Sequence, residues 1–210
     1  ADLSGAMPLE DVIQLLSDFA DYALDLAIRT AIGEMFPGAE PTGFAALALG
    51  KHGSRELNYS SDIDPILLFD PLIFPHHARL EPVEAASRVA RRVSQILEAR
   101  DGEGYVFRVD LRLRPSPEAT PPALPFEAAL SYYESSALPW ERAAFIRARA
   151  CAGDRALGEN FLAAIRPFVW RLAQELGVLG TVCNDGQGVC IDVRALAATL
   201  ERLAQRLQAE

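Results

Sequence analysis

The sequence predicts an α+β fold: a small mixed β-sheet flanked and followed by helices. Three observations carry the α+β pattern. The stretch after Pro8, "LEDVIQLLSDFADYALDLAIRTAIGEMF", spaces its apolar residues helically and contains no proline. Two short apolar runs, "FAALALG" and "ILLF", have the length and punctuation of buried strands. From Phe126 onward the chain reads as helices.

In chain order, the first helix is expected from about Leu9 to Phe36. "PGAEPTG" is a loop, and "FAALALG" a buried strand ending at Gly50. "KHGSRELNYSS" is polar and reads as a loop with one helical turn. Ile66 to Phe69 form a strand core, and residues 82–100 a helix. "GYVFRVDLRLRP" alternates: Phe107, Val109, Leu111 and Leu113 point one way, Arg108, Asp110, Arg112 and Arg114 the other. That predicts a strand ended by Pro115. Helices follow at about 126–136, 140–150 and 155–175. "TVCNDGQGVCIDV" reads as a hairpin around Asp185–Gly186, and 193–209 as a last amphipathic helix. The expected division is a catalytic domain over 1–125 and a helical region over 126–210.

The 210 residues are 50% apolar and 23% charged, enough for a sizeable core. A net charge of −9 argues against broad binding to nucleic acid or an anionic membrane. No apolar stretch is long enough to span a bilayer, and no leader pattern opens the chain. The opening residue is Ala1, which predicts a piece of something longer. Three cysteines, Cys151, Cys183 and Cys190, without a CxxC pair, predict reduced thiols and a cytoplasmic setting.

Chemistry is suggested by "SSDIDPILLFD". Asp62 and Asp64, two residues apart on an extended backbone, share one face. With Asp110 as a third carboxylate they would make an oxygen cage for a hard cation such as Mg²⁺. Arg108, Arg112 and Arg114 have the fork geometry that grips polyphosphate. Gly53 and Ser54 would offer backbone N–H groups and a hydroxyl to a phosphate. Each feature has an ordinary reading: a surface turn, a solvated arginine face, a polar loop for His52. The order of the features together favours the site.

That order resembles the polymerase-beta-type nucleotidyltransferase superfamily. "LGKHGSRELNYSSDID", "FRVDLRLRP" and "WERAAFIRAR" resemble, more closely, the bacterial bifunctional glutamine synthetase adenylyltransferase/adenylyl-removing enzymes. The likeness runs from "ADLSG" to about Trp170. It implies Asp62, Asp64 and Asp110 as catalytic and metal-binding residues for Mg²⁺ (or Mn²⁺). It implies Gly53, Ser54, Arg112 and Arg114 as phosphate- and nucleotide-binding residues. "RELNYSSDID" with "RVDLRLRP" resembles the adenylyl-removing half. The implied reaction is phosphorolysis of AMP from a tyrosine of glutamine synthetase, releasing ADP, in the control of nitrogen assimilation. The alternatives are adenylyl transfer from ATP and a non-catalytic regulatory module. Glutamine synthetase, nucleotide and inorganic phosphate are the implied partners, with a PII-type regulator acting through chain outside this sequence. Three features depart from the family pattern: Pro65 directly after the acidic pair, His52 in place of an apolar residue, and the tail after Trp170.

Overall fold

The computed structural model describes residues 5–76, 80–175, 182–184 and 189–191. The chain divides into two compact units, Ala1–Ile165 and Arg166–Glu210. The expected boundary at residue 125 falls inside the first unit, because the sheet takes a strand from beyond it.

Helix α1, Leu9–Met35, opens with Glu10 and Asp11 in its first turn, where carboxylates favour the helix dipole. Its buried stripe runs through Ala20, Leu24, Ala27, Ile28, Ala31 and Ile32, all at helical spacing. Strand β1, Phe44–Ala48, and strand β2, Pro65–Phe69, pair antiparallel with Phe44 opposite Phe69 and Ala48 opposite Pro65. Between them lies the short helix α2, Gly50–Gly53. Helix α3, Pro82–Glu98, has proline in its first turn, where a missing N–H costs nothing. Strand β3, Ala123–Pro125, pairs parallel with β2. Helix α4, Phe126–Ser135, and helix α5, Pro139–Ala144, lead to strand β4, Arg149–Gly153. β4 pairs antiparallel with β1, with a register shift at Ala46/Leu47. The order β3-β2-β1-β4 makes a mixed four-stranded sheet. Helix α6 spans Arg155–Glu175.

Both faces of β1 and β2 are buried, which explains their unbroken apolar runs. On one face, Phe44, Ala46, Ala48, Leu67 and Phe69 join the core built with α1 and α3. Phe74 sits among Phe36, Phe44 and Phe69, with ring centroids 5.5–6.0 Å apart. Burying such a ring contributes about 1.5–3 kcal/mol. On the other face Gly158 of α6 lets the helix close on the sheet. A Cβ there would lie 2.8 Å from the Cβ of Ala150 and 3.1 Å from Leu47.

Two expectations are corrected. Residues 105–114 do not form a strand. Their one ladder element is a parallel bridge between Ile63 and Val109. Ile63 donates to the Arg108 carbonyl at 3.0 Å, and Asp110 donates to the Ile63 carbonyl at 2.9 Å. The next rung would need an N–H from residue 65, and proline has none. Arg112, which would complete that rung, gives its N–H to the Asp110 side chain instead. The segment is therefore extended and alternating, with one rung to Ile63 and further backbone bonds from Val106 and Phe107 to the Leu97 carbonyl. The second correction concerns residues 140–150: helix α5 and a 3₁₀ turn, Phe145–Arg147, give way to β4 rather than one continuous helix.

The second unit contains strands β5, Val182–Asn184, and β6, Val189–Ile191. They pair antiparallel with Cys183 opposite Cys190. The expected turn at Asp185–Gly186 and the helix over 193–209 lie outside the described residues. Among the described residues, no helix is long and apolar enough to cross a membrane.

Candidate active site

Sheet parity decides where the three acids point. Ile63 is fully buried in the core, and Val109, its bridge partner, packs against the same core. Residues paired across a ladder share a face, and their sequence neighbours take the other. Asp62, Asp64, Arg108 and Asp110 therefore emerge together, away from α1 and α3. Asp62, Asp64 and Arg108 line a cleft of about 550 Å³ with Gly50 and Lys51. Gly50 has a positive φ of 55°, and a Cβ there would lie 3.4 Å from Asp64 Oδ2. Glycine thus serves the turn and keeps the space beside that carboxylate open.

The three carboxylates differ in their surroundings. Asp62 accepts from Arg108 Nε at 2.5 Å, while the same guanidinium reaches the Tyr105 hydroxyl at 2.6 Å and the Ser60 carbonyl at 2.7 Å. Asp110 is gripped by Arg112, with Nε 2.9 Å from both oxygens. That hydrogen bonding outweighs desolvation and holds its carboxyl below the usual range. Asp64 accepts no hydrogen bond among the described residues. Burial first, then the charges of Asp110 and Asp62, push its pKa up. The site is a set of hard oxygen donors in which Asp64, among the described residues, makes no direct ion pair, and the charge of Arg112 only partly offsets burial and its neighbouring acids. Mg²⁺ suits such donors. Among the described residues the three do not form a set whose ligand oxygens all lie within 4.8 Å of one another. Two of the three are turned onto arginines.

The other residues singled out by the sequence are placed differently. Gly53 is a packing position, since a Cβ would lie 2.4 Å from the Arg147 carbonyl and 2.8 Å from that of Ala48. Its N–H goes to Leu49, and that of Ser54 to Gly50. The Ser54 hydroxyl donates to Glu56 at 2.8 Å. Arg114 brackets its own loop, donating to the carbonyls of Leu111 at 2.6 Å and Pro117 at 2.7 Å. In the "WER" segment, Trp140 is exposed and Glu141 buried. Glu141 accepts from the Tyr132 hydroxyl and from the Leu138 N–H at 2.7 Å, which fixes the start of α5. Pro65 lies after the acids, on the ladder side that ends at the Ile63 rung, so the face parity of Asp62 and Asp64 is kept.

A buried latch behind the cleft was not read from the sequence. His52 is fully buried rather than a loop residue in solvent. Its Nε2 lies 2.7 Å from Asp21 Oδ1. An ionised carboxylate only accepts, so that nitrogen carries the proton. Arg149 Nη1 and Nη2 donate to Asp21 at 2.5 and 2.8 Å, and Nη2 reaches the His52 carbonyl at 3.0 Å. Burial acts to raise the Asp21 pKa, but the bonds from His52 and Arg149 outweigh it and lower the value. The latch ties α1, α2 and β4 together beneath Gly50. Its signal in the sequence is a carboxylate on the apolar stripe of α1, between Ala20 and Leu24. Cys151 approaches the same group. Burial pushes its thiol up to about 12, and it donates to the Ala46 carbonyl at 3.3 Å. With Arg149 already on Asp21, this cluster is an ion-paired latch.

Residues 1–164 match the family model described as glutamate-ammonia ligase adenylyltransferase. The chain belongs to that family. A relative in Caulobacter vibrioides, named bifunctional glutamine synthetase adenylyltransferase/adenylyl-removing enzyme, is 45% identical over 183 residues. The match covers 81% of this chain and 18% of the relative. A Mesorhizobium japonicum protein of the same name is 43% identical over 193 residues, covering 87% of this chain and 20% of the relative. The chain thus spans about a fifth of the adenylyltransferase-family relatives it matches. Residues 164–210 match a different model, acylphosphatase. The switch between the two models falls at residue 164, close to Trp170, after which the tail is expected to depart from the family pattern.

Proposed function

We propose that the first unit removes AMP from a tyrosine of glutamine synthetase by phosphorolysis. One observation carries the reading: a single rung between Ile63 and Val109 turns Asp62, Asp64 and Asp110 to one face. The wording "RELNYSSDID", with "RVDLRLRP", favours the adenylyl-removing reaction over its adenylylating counterpart. Asp62, Asp64 and Asp110 would hold Mg²⁺ (or Mn²⁺). When bound, such an ion supplies positive charge to the phosphoryl oxygens. Asp64, raised in pKa and without a hydrogen-bond donor, gains most from a cation. Arg108 and Arg112 screen the anionic charge of phosphate and AMP. An oxygen of inorganic phosphate attacks the AMP phosphorus. The bond from phosphorus to the tyrosine oxygen breaks, ADP leaves, and that oxygen takes up a proton. Positioning and charge stabilisation suffice, so no covalent intermediate is needed.

A product assay tests this. The chain is incubated with AMP-tyrosyl glutamine synthetase, phosphate and Mg²⁺, and separately with unmodified glutamine synthetase and ATP. ADP in the first mixture is expected. Pyrophosphate and modified protein in the second would replace this reading with adenylyl transfer. Neither product would favour a non-catalytic module.

A further inference from the structure

Four basic side chains lie in or beside the acidic cleft, and three are already engaged. Arg108 is held by Asp62, Tyr105 and the Ser60 carbonyl. Arg112 is clamped on Asp110. Arg114 donates to loop carbonyls and has an Nε buried without a partner. Lys51 lines the cleft with Asp62 and Asp64, and among the described residues no ion pair or hydrogen bond uses its side chain. It is also the only lysine in the sequence: every other member of its 20 Lys and Arg is arginine. The two are not equivalent. Arginine's planar fork pairs with carboxylates, whereas an ammonium is a compact point charge with three rotatable donors. A cleft crowded with aspartates would capture another arginine as it has captured Arg108 and Arg112. A lysine on the α2 turn, whose backbone is fixed from behind by the His52–Asp21 latch, keeps its charge available.

We infer that Lys51 is the anion-positioning residue of the cleft, holding the inorganic phosphate that attacks AMP. This rests on the phosphorolytic reading above and gives Lys51 a role that the sequence reading had given to Gly53, Ser54, Arg112 and Arg114. Lys51 supplies charge and N–H donors to a non-bridging phosphate oxygen. It takes no part in bond making, so its effect falls on phosphate binding more than on turnover.

Because Lys51 is unique, it can be observed directly. Reductive methylation with ¹³C-formaldehyde keeps the positive charge and labels Lys51 and the chain's terminal amine. The Lys51→Arg chain, which lacks one of the two signals, assigns them. Titrating inorganic phosphate in the presence of Mg²⁺ is expected to shift the Lys51 signal saturably and leave the terminal amine unmoved. In turnover, Lys51→Gln is expected to raise KM for phosphate about 10- to 100-fold, the loss of one charge-assisted hydrogen bond. Its kcat should stay within a few-fold, and Lys51→Arg, whose fork the aspartates would capture, should recover little of the loss. An unmoved Lys51 signal in a chain that still forms ADP overturns the Lys51 assignment and leaves the phosphorolytic reading intact. A saturable shift without ADP keeps Lys51 as an oxyanion site and overturns phosphorolysis. No shift and no ADP overturn both.

Discussion

Asp21→Asn is the sharpest test of how the cleft is held in place. Asp21 takes three short N–H contacts, from His52 Nε2 at 2.7 Å and from Arg149 at 2.5 and 2.8 Å. Asparagine retains one acceptor oxygen and turns an NH₂ toward these donors. At least one contact is lost, and the guanidinium keeps its charge with no counter-charge beside it. Breaking a buried pair from one side costs about 3–5 kcal/mol. Arg149 retains 19% of its side-chain exposure, which places the expectation at the lower end, about 3 kcal/mol. For a chain of this size that lowers Tm by roughly 6–12 °C. Calorimetry at neutral pH measures it. The folded pKa of Asp21 is lowered, so its contribution is present above the ordinary value of 3.8 and is lost as pH falls through the folded value. The gap between wild type and variant should therefore narrow in acid. Adding Arg149→Met should cost at least about 1 kcal/mol less than the two single changes summed. A Tm shift below about 2 °C, or a gap that persists unchanged in acid, would refute the latch.

Two further outcomes follow from the acids and from Pro65. Asp64→Asn should stabilise the metal-free chain, because the folded pKa of Asp64 is raised and its charge costs stability at neutral pH. That cost is absent below pH 3.8 and grows as pH rises through the raised folded value, so melting curves should converge in acid. The same variant should lose metal-dependent turnover and any gain in Tm from millimolar Mg²⁺ with nucleotide. A variant less stable than wild type at neutral pH would contradict the electrostatic argument. Pro65→Leu should change activity little, since the missing donor lies where the ladder already ends. Metal binding that appears only in the leucine variant would mean that the natural chain is a non-catalytic relative.

Regular elements with one dominant period were legible in the sequence. The stripe of α1 and the apolar runs of β1 and β2 each have a single explanation, burial on one helix face or on both sheet faces. The shared direction of Asp62 and Asp64 followed from period two alone. The 105–114 segment was over-read, because alternation reports an extended backbone and not a ladder. Whether a ladder forms depends on partner N–H groups, and Pro65 withholds the next one. β4 was hidden for the opposite reason. "RACAG" has no branched or aromatic strand signature. It pairs because Gly153, with φ at 69°, lets the backbone come close to the Phe44 carbonyl. The latch was invisible because Asp21, His52 and Arg149 are far apart in the chain. The polar assignment of His52 rested on its neighbours in "KHGSRELN", and not on what packs over it. The packing demand on Gly53 was not legible, because glycine signals a turn and a tight contact alike.

The single rung at Ile63 makes assembly of the acidic trio separable from stability of the sheet. Asp110 stands on a segment whose backbone link to Ile63, just before β2, is two hydrogen bonds. Releasing them costs about 1–3 kcal/mol, against the roughly 5–15 kcal/mol that holds a domain folded. The amide protons of Ile63 and Asp110 should then exchange with solvent by a local opening, well ahead of those inside β1 and β2. Whatever the three carboxylates bind together fastens that segment, so ligand occupancy becomes readable as slowed exchange at two known amides.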